Sequence, residues 1–232
     1  MPYAHKSKVP NATLAREGQP DFIRRCGRRN LMGRAPSEKL GRAVSWSTAS
    51  QGRIVNLLEV THSIVAYEPW PFKVTLRAGW NEAFEYWPAM GFTCADGSRG
   101  AIDVVHDRDL SNRVGMNFDQ LLKDALTVRG VRLVLYPEIS LATDRKVMVA
   151  RQMSRYVGTS VPDMDADLLR QMIGGHGGRM TLGQIKVFSA DGAHRMAQAC
   201  VLGMRRRLRL DLDSAGLEQS TVSLCGTKGD DK

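Results

Sequence analysis

The segment Glu85–Val105, "EYWPAMGFTCADGSRGAIDVV", constrains the fold of this chain most. Its apolar residues form two short runs on either side of "ADGSRG", whose glycines are typical of a turn. Two short runs around such a turn predict a pair of strands within a sheet. Any fold proposed for the chain therefore has to place a β-sheet around this segment.

The neighbouring segments alternate between helix and strand. Residues 47–60, with Ser47 or Thr48 as the cap, have apolar residues at helical spacing. Residues 63–78 predict two strands separated by a break at Pro69 and Pro71. A helix over 117–130 is followed at 131–139 by a nearly continuous apolar strand of the fully buried kind. The order helix, four strands, helix and strand predicts an α/β domain.

The C-terminal part has a different organisation. Two amphipathic helices, over 144–158 and 165–178, precede a short helix "LGQIKVF" capped by Thr181. A further helix, "GAHRMAQACVLGM", precedes two short strands in "RLRLDL" and "STVSL". The residues predicted on the inner face of that helix are Ala193, Met196, Ala197, Cys200 and Val201. Two helices followed by a two-stranded ribbon are typical of the end of a winged helix.

These patterns divide the chain into four parts. We predict a basic arm over residues 1–45, an α/β domain over 46–150, a helical and winged-helix-like domain over 151–225, and a tail over 226–232. The arm is rich in Gly, Pro and Asn, which predicts a loosely ordered segment.

Positive charge is concentrated in two places. The net charge is +9, and residues 1–45 contain ten Lys and Arg against three acidic residues. Cations at a helix C-terminus are favoured by the helix dipole, but this explains only one or two of the arginines in "MRRRLRL". A basic balance favours a polyanionic partner. The predicted nucleic-acid contacts are Arg24, Arg25, Arg28, Arg29, Arg205, Arg206, Arg207 and Arg209.

Other features limit the class of protein. No apolar run approaches the length of about 20 residues that spans a bilayer, and the N-terminal residues lack the apolar core of a secretory signal. The four cysteines are scattered without a CxxC pair, which favours reduced thiols and argues against a structural zinc site. We therefore expect a cytoplasmic protein without a membrane partner.

Several short motifs together resemble one known family. In order along the chain they are "PSEKLGRAVSW" (36–46), "LLE" (57–59), "SIVAYE" (63–68), "PFKV" (71–74) and "YWP" (86–88). Their order and spacing are similar to those of the TnsA-type endonucleases of cut-and-paste transposons and of their relatives in phages and bacterial genomes. The C-terminal "MTLGQI" and "LRLDLDSAGLEQSTVSL" resemble the winged-helix module of that family. The resemblance covers residues 28–225.

The resemblance implies a restriction-endonuclease-like core of the PD-(D/E)xK type, a mixed sheet flanked by helices, followed by a small winged-helix-like domain. Proteins of this family cut DNA with Mg²⁺ and work beside a transposase and an ATP-dependent regulator. Their chemistry needs acidic side chains to hold Mg²⁺ and a lysine to position the attacking water.

Most of the family's catalytic positions carry other residues in this chain. The helix glutamate falls on Gln51, the aspartate of "PDF" on Ala89, the acidic residue of "vEvK" on Asp103, and its lysine on Val105. One carboxylate of three is present, and the lysine is absent. The resemblance therefore implies a catalytically inactive protein that binds DNA, a transposition or phage partner protein, or both, without a metal or cofactor.

Two alternatives remain open. The first is an active DNA endonuclease with a rearranged centre that includes Asp103 and uses Mg²⁺. Glu85 is a poor replacement ligand, because four strand residues place it about 13 Å from Ala89. His106 is expected on the opposite face of the strand from Asp103. The second alternative is a protein-docking module that does not bind DNA.

Overall fold

The computed structural model describes residues 14–15, 33–78, 82–111 and 117–225. The described chain forms two compact units. One, the sheet unit, comprises strand 14–15 and the described residues of 67–138. The other, the helix unit, comprises residues 33–66 and 139–225. The domain boundaries predicted from the sequence remain predictions.

The strands and helices have the following bounds. The strands are β1 (Leu14–Ala15), β2 (Gly33–Ser37), β3 (Arg42–Trp46), β4 (Ile64–Pro69), β5 (Lys73–Ala78), β6 (Glu82–Tyr86), β7 (Met90–Cys94), β8 (Arg99–Val105), β9 (Val131–Pro137), β10 (Arg179–Thr181), β11 (Leu208–Asp211) and β12 (Thr221–Leu224). The helices are α1 (Ala49–Val60), α2 (Phe118–Thr127), α3 (Glu138–Thr143), α4 (Arg145–Met153), α5 (Asp163–Gly175), α6 (Leu182–Phe188) and α7 (Gly192–Met204).

The chain is an α/β structure with a mixed sheet. The order of strands in this sheet is β4-β7-β8-β9, with β8 antiparallel to β7 and parallel to β9. A second sheet has the order β1-β5-β6. Helix α2 packs against β9 and β5, and its buried Leu122 and Leu126 share a core with Val74 and Leu76 of β5. The α/β class and the mixed sheet flanked by helices are thus confirmed.

Two predictions about these strands are wrong. Residues 82–94 were expected to form one strand, but they form β6 and β7, which belong to different sheets. Pro88, which lacks a backbone N–H to donate, lies in the break between them. Strand β9 was expected to be fully buried, but only its Val131 is buried, and its Leu135 is 36% exposed. The buried strand is β8, which pairs on both sides.

The helix unit has its own core. Val60 of α1 and Ala150 of α4 belong to one apolar cluster with the inner residues of α5, α6 and α7. Strands β10, β12 and β11 form an antiparallel sheet in that order. The predicted cap of α6 is confirmed, since Thr181 and Gln184 form a capping box. Ala193 was predicted on the inner face of α7, but it is exposed because it lies in the first turn, ahead of the buried part.

Candidate functional site

The nuclease-like positions of the sheet unit lie on β8 and just before β7. Met90 pairs with Ile102 and Gly91 with Ala101. Ala89 lies in the bend directly before β7, one residue beyond the Met90–Ile102 pair. Val105 lies two residues after Asp103 and therefore on the same face of β8. These are three of the four positions to which the resemblance assigns catalytic residues.

The side chains at these positions do not fit a magnesium site. Asp103 is 3% exposed and Val105 is 7% exposed. Ala89 and Val105 provide no oxygen or charge, and Mg²⁺ prefers several oxygen ligands. Within residues 33–78, 82–111 and 117–225, no group of three or more His, Cys, Asp and Glu side chains is arranged to hold a metal ion. Asp103 is the one carboxylate among these three positions, whereas a magnesium site needs several oxygen ligands.

Glu85 does not replace the missing acid. It lies on β6, in the other sheet of this unit. Its Oε1 is 2.9 Å from Nζ of Lys73 on β5. This pair is a cross-strand contact within the three-stranded sheet.

Gln51, at the fourth family position, belongs to the helix unit and helps to start α1. The hydroxyl of Thr48 accepts a hydrogen bond from the backbone N–H of Gln51, and Oε1 of Gln51 accepts bonds of 2.9 Å from both the N–H and the hydroxyl of Ser47. The prediction of Ser47 or Thr48 as the cap is confirmed for Thr48. Both bonds to the Gln51 oxygen are internal to the helix start, so this amide stabilises α1 where the family has a metal ligand.

His106 pairs with a carboxylate at the end of the neighbouring strand β9. It follows β8 directly, and Glu138 follows the parallel strand β9. Nδ1 of His106 is 2.8 Å from Oε2 of Glu138. The carboxyl ends of these two parallel strands therefore carry an imidazole–carboxylate pair, with side chains 24% and 44% exposed.

Of the four C-terminal arginines that were predicted to contact DNA, three form hydrogen bonds or ion pairs with other residues of the chain. Nε of Arg205 donates to Glu38 at 2.8 Å, Nε of Arg206 donates to the carbonyl of His62 at 2.9 Å, and Arg207 lies 3.5 Å from Asp163. Arg209 is exposed and makes no hydrogen bond or ion pair with the described residues. Arg24, Arg25, Arg28 and Arg29 lie outside the described residues.

The sequence patterns "PSEK" and "LLE" meet in a buried network that sequence reasoning did not foresee. Glu59, near the end of α1, is 2% exposed. Its carboxylate accepts hydrogen bonds from the hydroxyl of Ser37 (2.7 Å) and from the backbone N–H groups of Glu38 (2.7 Å) and Lys39 (3.3 Å). We call Ser37, Lys39 and Glu59 the latch, because they join the β2–β3 hairpin to α1. The sequence feature that points to this network is the occurrence of "PSEK" and "LLE" in the same chain.

Lys39 completes the latch from the other side. Its Nζ donates to the carbonyls of Leu58 (2.7 Å) and Thr61 (2.5 Å), at the C-terminal end of α1. Burial lowers the pKa of Lys39 from 10.5 to about 7, against the opposing attraction of Glu59. A neutral amine still has two N–H groups, which satisfies both carbonyls.

His62 lies next to the latch and carries an unusual ring nitrogen. Its Nδ1 is buried and has no hydrogen-bond partner among the described residues. Burial, followed by the nearby positive charges of Arg206, Arg209 and Lys39, lowers the pKa of His62 below 6.5. Burial and these charges therefore disfavour the protonated form of the ring in the folded protein.

Two general findings complete this description. Among the described residues, no helix has the length and apolar character needed to cross a bilayer. No protein-family model matches the sequence, and no curated protein matches it.

Proposed function

We propose that this chain is a catalytically inactive TnsA-like protein that binds DNA and acts beside a transposition or phage partner protein. The observation that carries the proposal is the face of β8 on which buried Asp103 lies beside Val105, with Ala89 directly before the neighbouring strand β7. The resemblance assigns metal ligands and a lysine to these positions, and Ala89 and Val105 provide neither. A protein with this combination keeps a nuclease-like body for binding.

The distribution of charge supports DNA contact by the helix unit. Residues 67–138 contain ten acidic residues against eight Lys and Arg, whereas residues 139–225 contain twelve Lys and Arg against eight acidic residues. Phosphate contacts are made by Lys and Arg and release counterions from DNA. The basic stretch is therefore the better candidate for the DNA-binding surface.

Binding to duplex DNA tests the proposal. Fluorescence anisotropy with a labelled duplex is expected to show binding at 50 mM salt that weakens steeply by about 200 mM, as phosphate contacts do. The same duplex, incubated with the protein and Mg²⁺ or Mn²⁺, is expected to remain intact. Absence of binding at low salt contradicts DNA binding, and cleavage contradicts inactivity.

The runner-up, an active endonuclease with a rearranged centre, makes the opposite prediction. It requires metal-dependent cleavage that depends on Asp103, and it requires other ligands to join this carboxylate. Two nearby acids of this unit have other partners, since Glu85 pairs with Lys73 and Glu138 with His106.

A second candidate function is protein docking, and a specific surface favours it. The large apolar side chains exposed on the helix unit include Met164 (74%) and Leu168 (45%) on α5, and Val187 (79%) and Phe188 (60%) on α6. Met164 and Leu168 are four residues apart and share one face of α5. Size-exclusion chromatography of the protein with a candidate partner, compared with the Met164→Glu/Leu168→Glu variant, tests it. Loss of the complex in the variant supports docking, and an unchanged complex contradicts it.

A further inference from the structure

The position of α7 limits how the helix unit contacts DNA. In a helix-turn-helix arrangement the second helix enters the major groove with an exposed face. Helix α7 follows α6 after a short connection, but all its residues from Met196 to Met204 are buried. Side chains buried in the core do not reach base edges. Apart from the first turn of α7, DNA contact by this unit therefore requires another surface.

The three-stranded sheet has an outer face that carries arginines in register. On the central strand, Ser223 pairs with Arg179 of β10 on one side and with Arg209 of β11 on the other. The adjacent row, Met180, Val222 and Leu210, is buried in the core. Because side chains alternate between faces, Arg179, Ser223 and Arg209 point outward together. We call these three residues the arginine row.

The arginines of this row are available to a ligand. Arg209 is exposed and makes no hydrogen bond or ion pair within the part of the chain that the structure describes. Arg179 lies 3.4 Å from Asp211, with side chains 57% and 49% exposed. Such an exposed ion pair contributes little stability and exchanges readily with another anion.

Further positive charge acts near the row. Cys225, two residues after Ser223, has its pKa raised by burial, against the opposing positive charges of Arg206, Arg209 and Arg170. Arg206 and Arg170 therefore add to the positive potential at this end of the central strand. The outer strands of a three-stranded sheet are about 9.5 Å apart, so arginines on both can reach an anion above the central strand.

We propose that the arginine row binds phosphate groups of the nucleic-acid backbone, with the Ser223 hydroxyl between two guanidinium groups. This inference rests on the proposed DNA binding and assigns it to the sheet face instead of a recognition helix. Backbone phosphates carry no direct sequence information, so binding through this row is independent of sequence.

The test compares two double variants that remove the same charge. Arg179→Ala/Arg209→Ala removes both cations of the row, and Arg145→Ala/Arg151→Ala removes two exposed cations of α4 as the matched control. Binding of a labelled duplex is measured by anisotropy from 50 to 200 mM salt. The slope of log K against log salt is expected to fall in magnitude by about two for the row variant, one per lost phosphate contact, and by clearly less for the control.

The outcomes separate this inference from the proposed function. If the wild-type protein does not bind the duplex at low salt, both fail. If it binds and the row variant behaves like the control, only the arginine row is overturned. Ser223→Asp places a negative charge between the two arginines and is expected to weaken binding without removing either cation. Unchanged binding by this variant also contradicts the proposal.

Discussion

Two regions of the chain resemble the same family pattern, but their side chains agree with it to different extents. The latch combines polar groups of "PSEK" and "LLE", and the carboxylate of Glu59 accepts hydrogen bonds from three donors. On β8, Asp103 lies beside Val105, and Ala89 directly precedes the neighbouring strand β7. In the latch a lost donor or acceptor leaves a buried polar group unsatisfied, which costs stability. An apolar residue at a position such as Ala89 or Val105 carries no such cost, which fits the proposal of a nuclease-like frame without its chemistry.

Removal of the latch carboxylate is expected to have the largest effect. Glu59→Ala leaves the hydroxyl of Ser37 and two backbone N–H groups without their acceptor and is expected to lower the free energy of unfolding by about 3–5 kcal/mol. Chemical denaturation measures this loss. Glu59→Gln, which keeps one acceptor oxygen, is expected to cost less. Glu218→Ala, at an exposed carboxylate paired with Lys186, is expected to change stability by less than about 0.5 kcal/mol. Equal effects of Glu59→Ala and Glu218→Ala would contradict the latch.

Lys39 is expected to make stability depend on alkaline pH. Its pKa is about 7 in the folded protein and 10.5 in the unfolded chain, so between these values the unfolded state binds more protons. The free energy of unfolding therefore rises with pH in this window, by up to about 1.4 kcal/mol per pH unit from this group. Lys39→Met removes this contribution. The test is the difference between the two proteins, because other groups, including buried Cys200, titrate in both. Parallel curves would contradict the assignment.

A smaller effect tests the geometry of β8. If Asp103 and Val105 share a face, Val105→Lys is expected to be less destabilising with Asp103 present than in an Asp103→Asn background, since the ammonium meets the carboxylate. A double-mutant cycle by denaturation is expected to give a coupling of about 0.5–3 kcal/mol. A coupling of zero would show that the two positions do not form the family's frame.

The smallest expected effect concerns His62, beside the latch. Its pKa is lowered in the folded protein, so as pH falls below 6.5 the unfolded state takes up the proton first and stability is lost. Because the side chain is only partly buried and solvent screens these charges, we expect a loss below about 1 kcal/mol. Thermal unfolding between pH 7 and pH 5 is expected to show a shallower decline for His62→Gln. An equal decline would remove His62 from the account.

Local patterns were sufficient to predict most elements of the fold. The cap at Thr48, the capping box at Thr181 and the alternation in β11 follow from neighbours in sequence. The partial exposure of β9 was not predictable in this way. An apolar run does not show whether a strand lies in the centre or at the edge of a sheet. The split at Pro88 was missed because the strands on either side both have apolar residues.

The candidate site was predictable only in part. The assignment of Ala89, Asp103 and Val105 to catalytic positions came from motif spacing and stays a prediction, while the pairing of β7 with β8 is a feature of the structure. The bonds of Gln51 to Ser47 and of Arg205 to Glu38 depend on side-chain geometry, and the second joins residues far apart in sequence. Such contacts are set by tertiary packing, and a linear pattern does not contain it.

Incubation with supercoiled plasmid in Mg²⁺ or Mn²⁺ is the most direct test of the proposal that the frame binds DNA without cutting it. The matched control is Asp103→Ala, which removes the one remaining acid of the frame. We predict that both proteins retard the plasmid on a gel and that neither produces open-circular or linear forms above background. Metal-dependent nicking by the wild-type protein that Asp103→Ala abolishes would contradict the proposal.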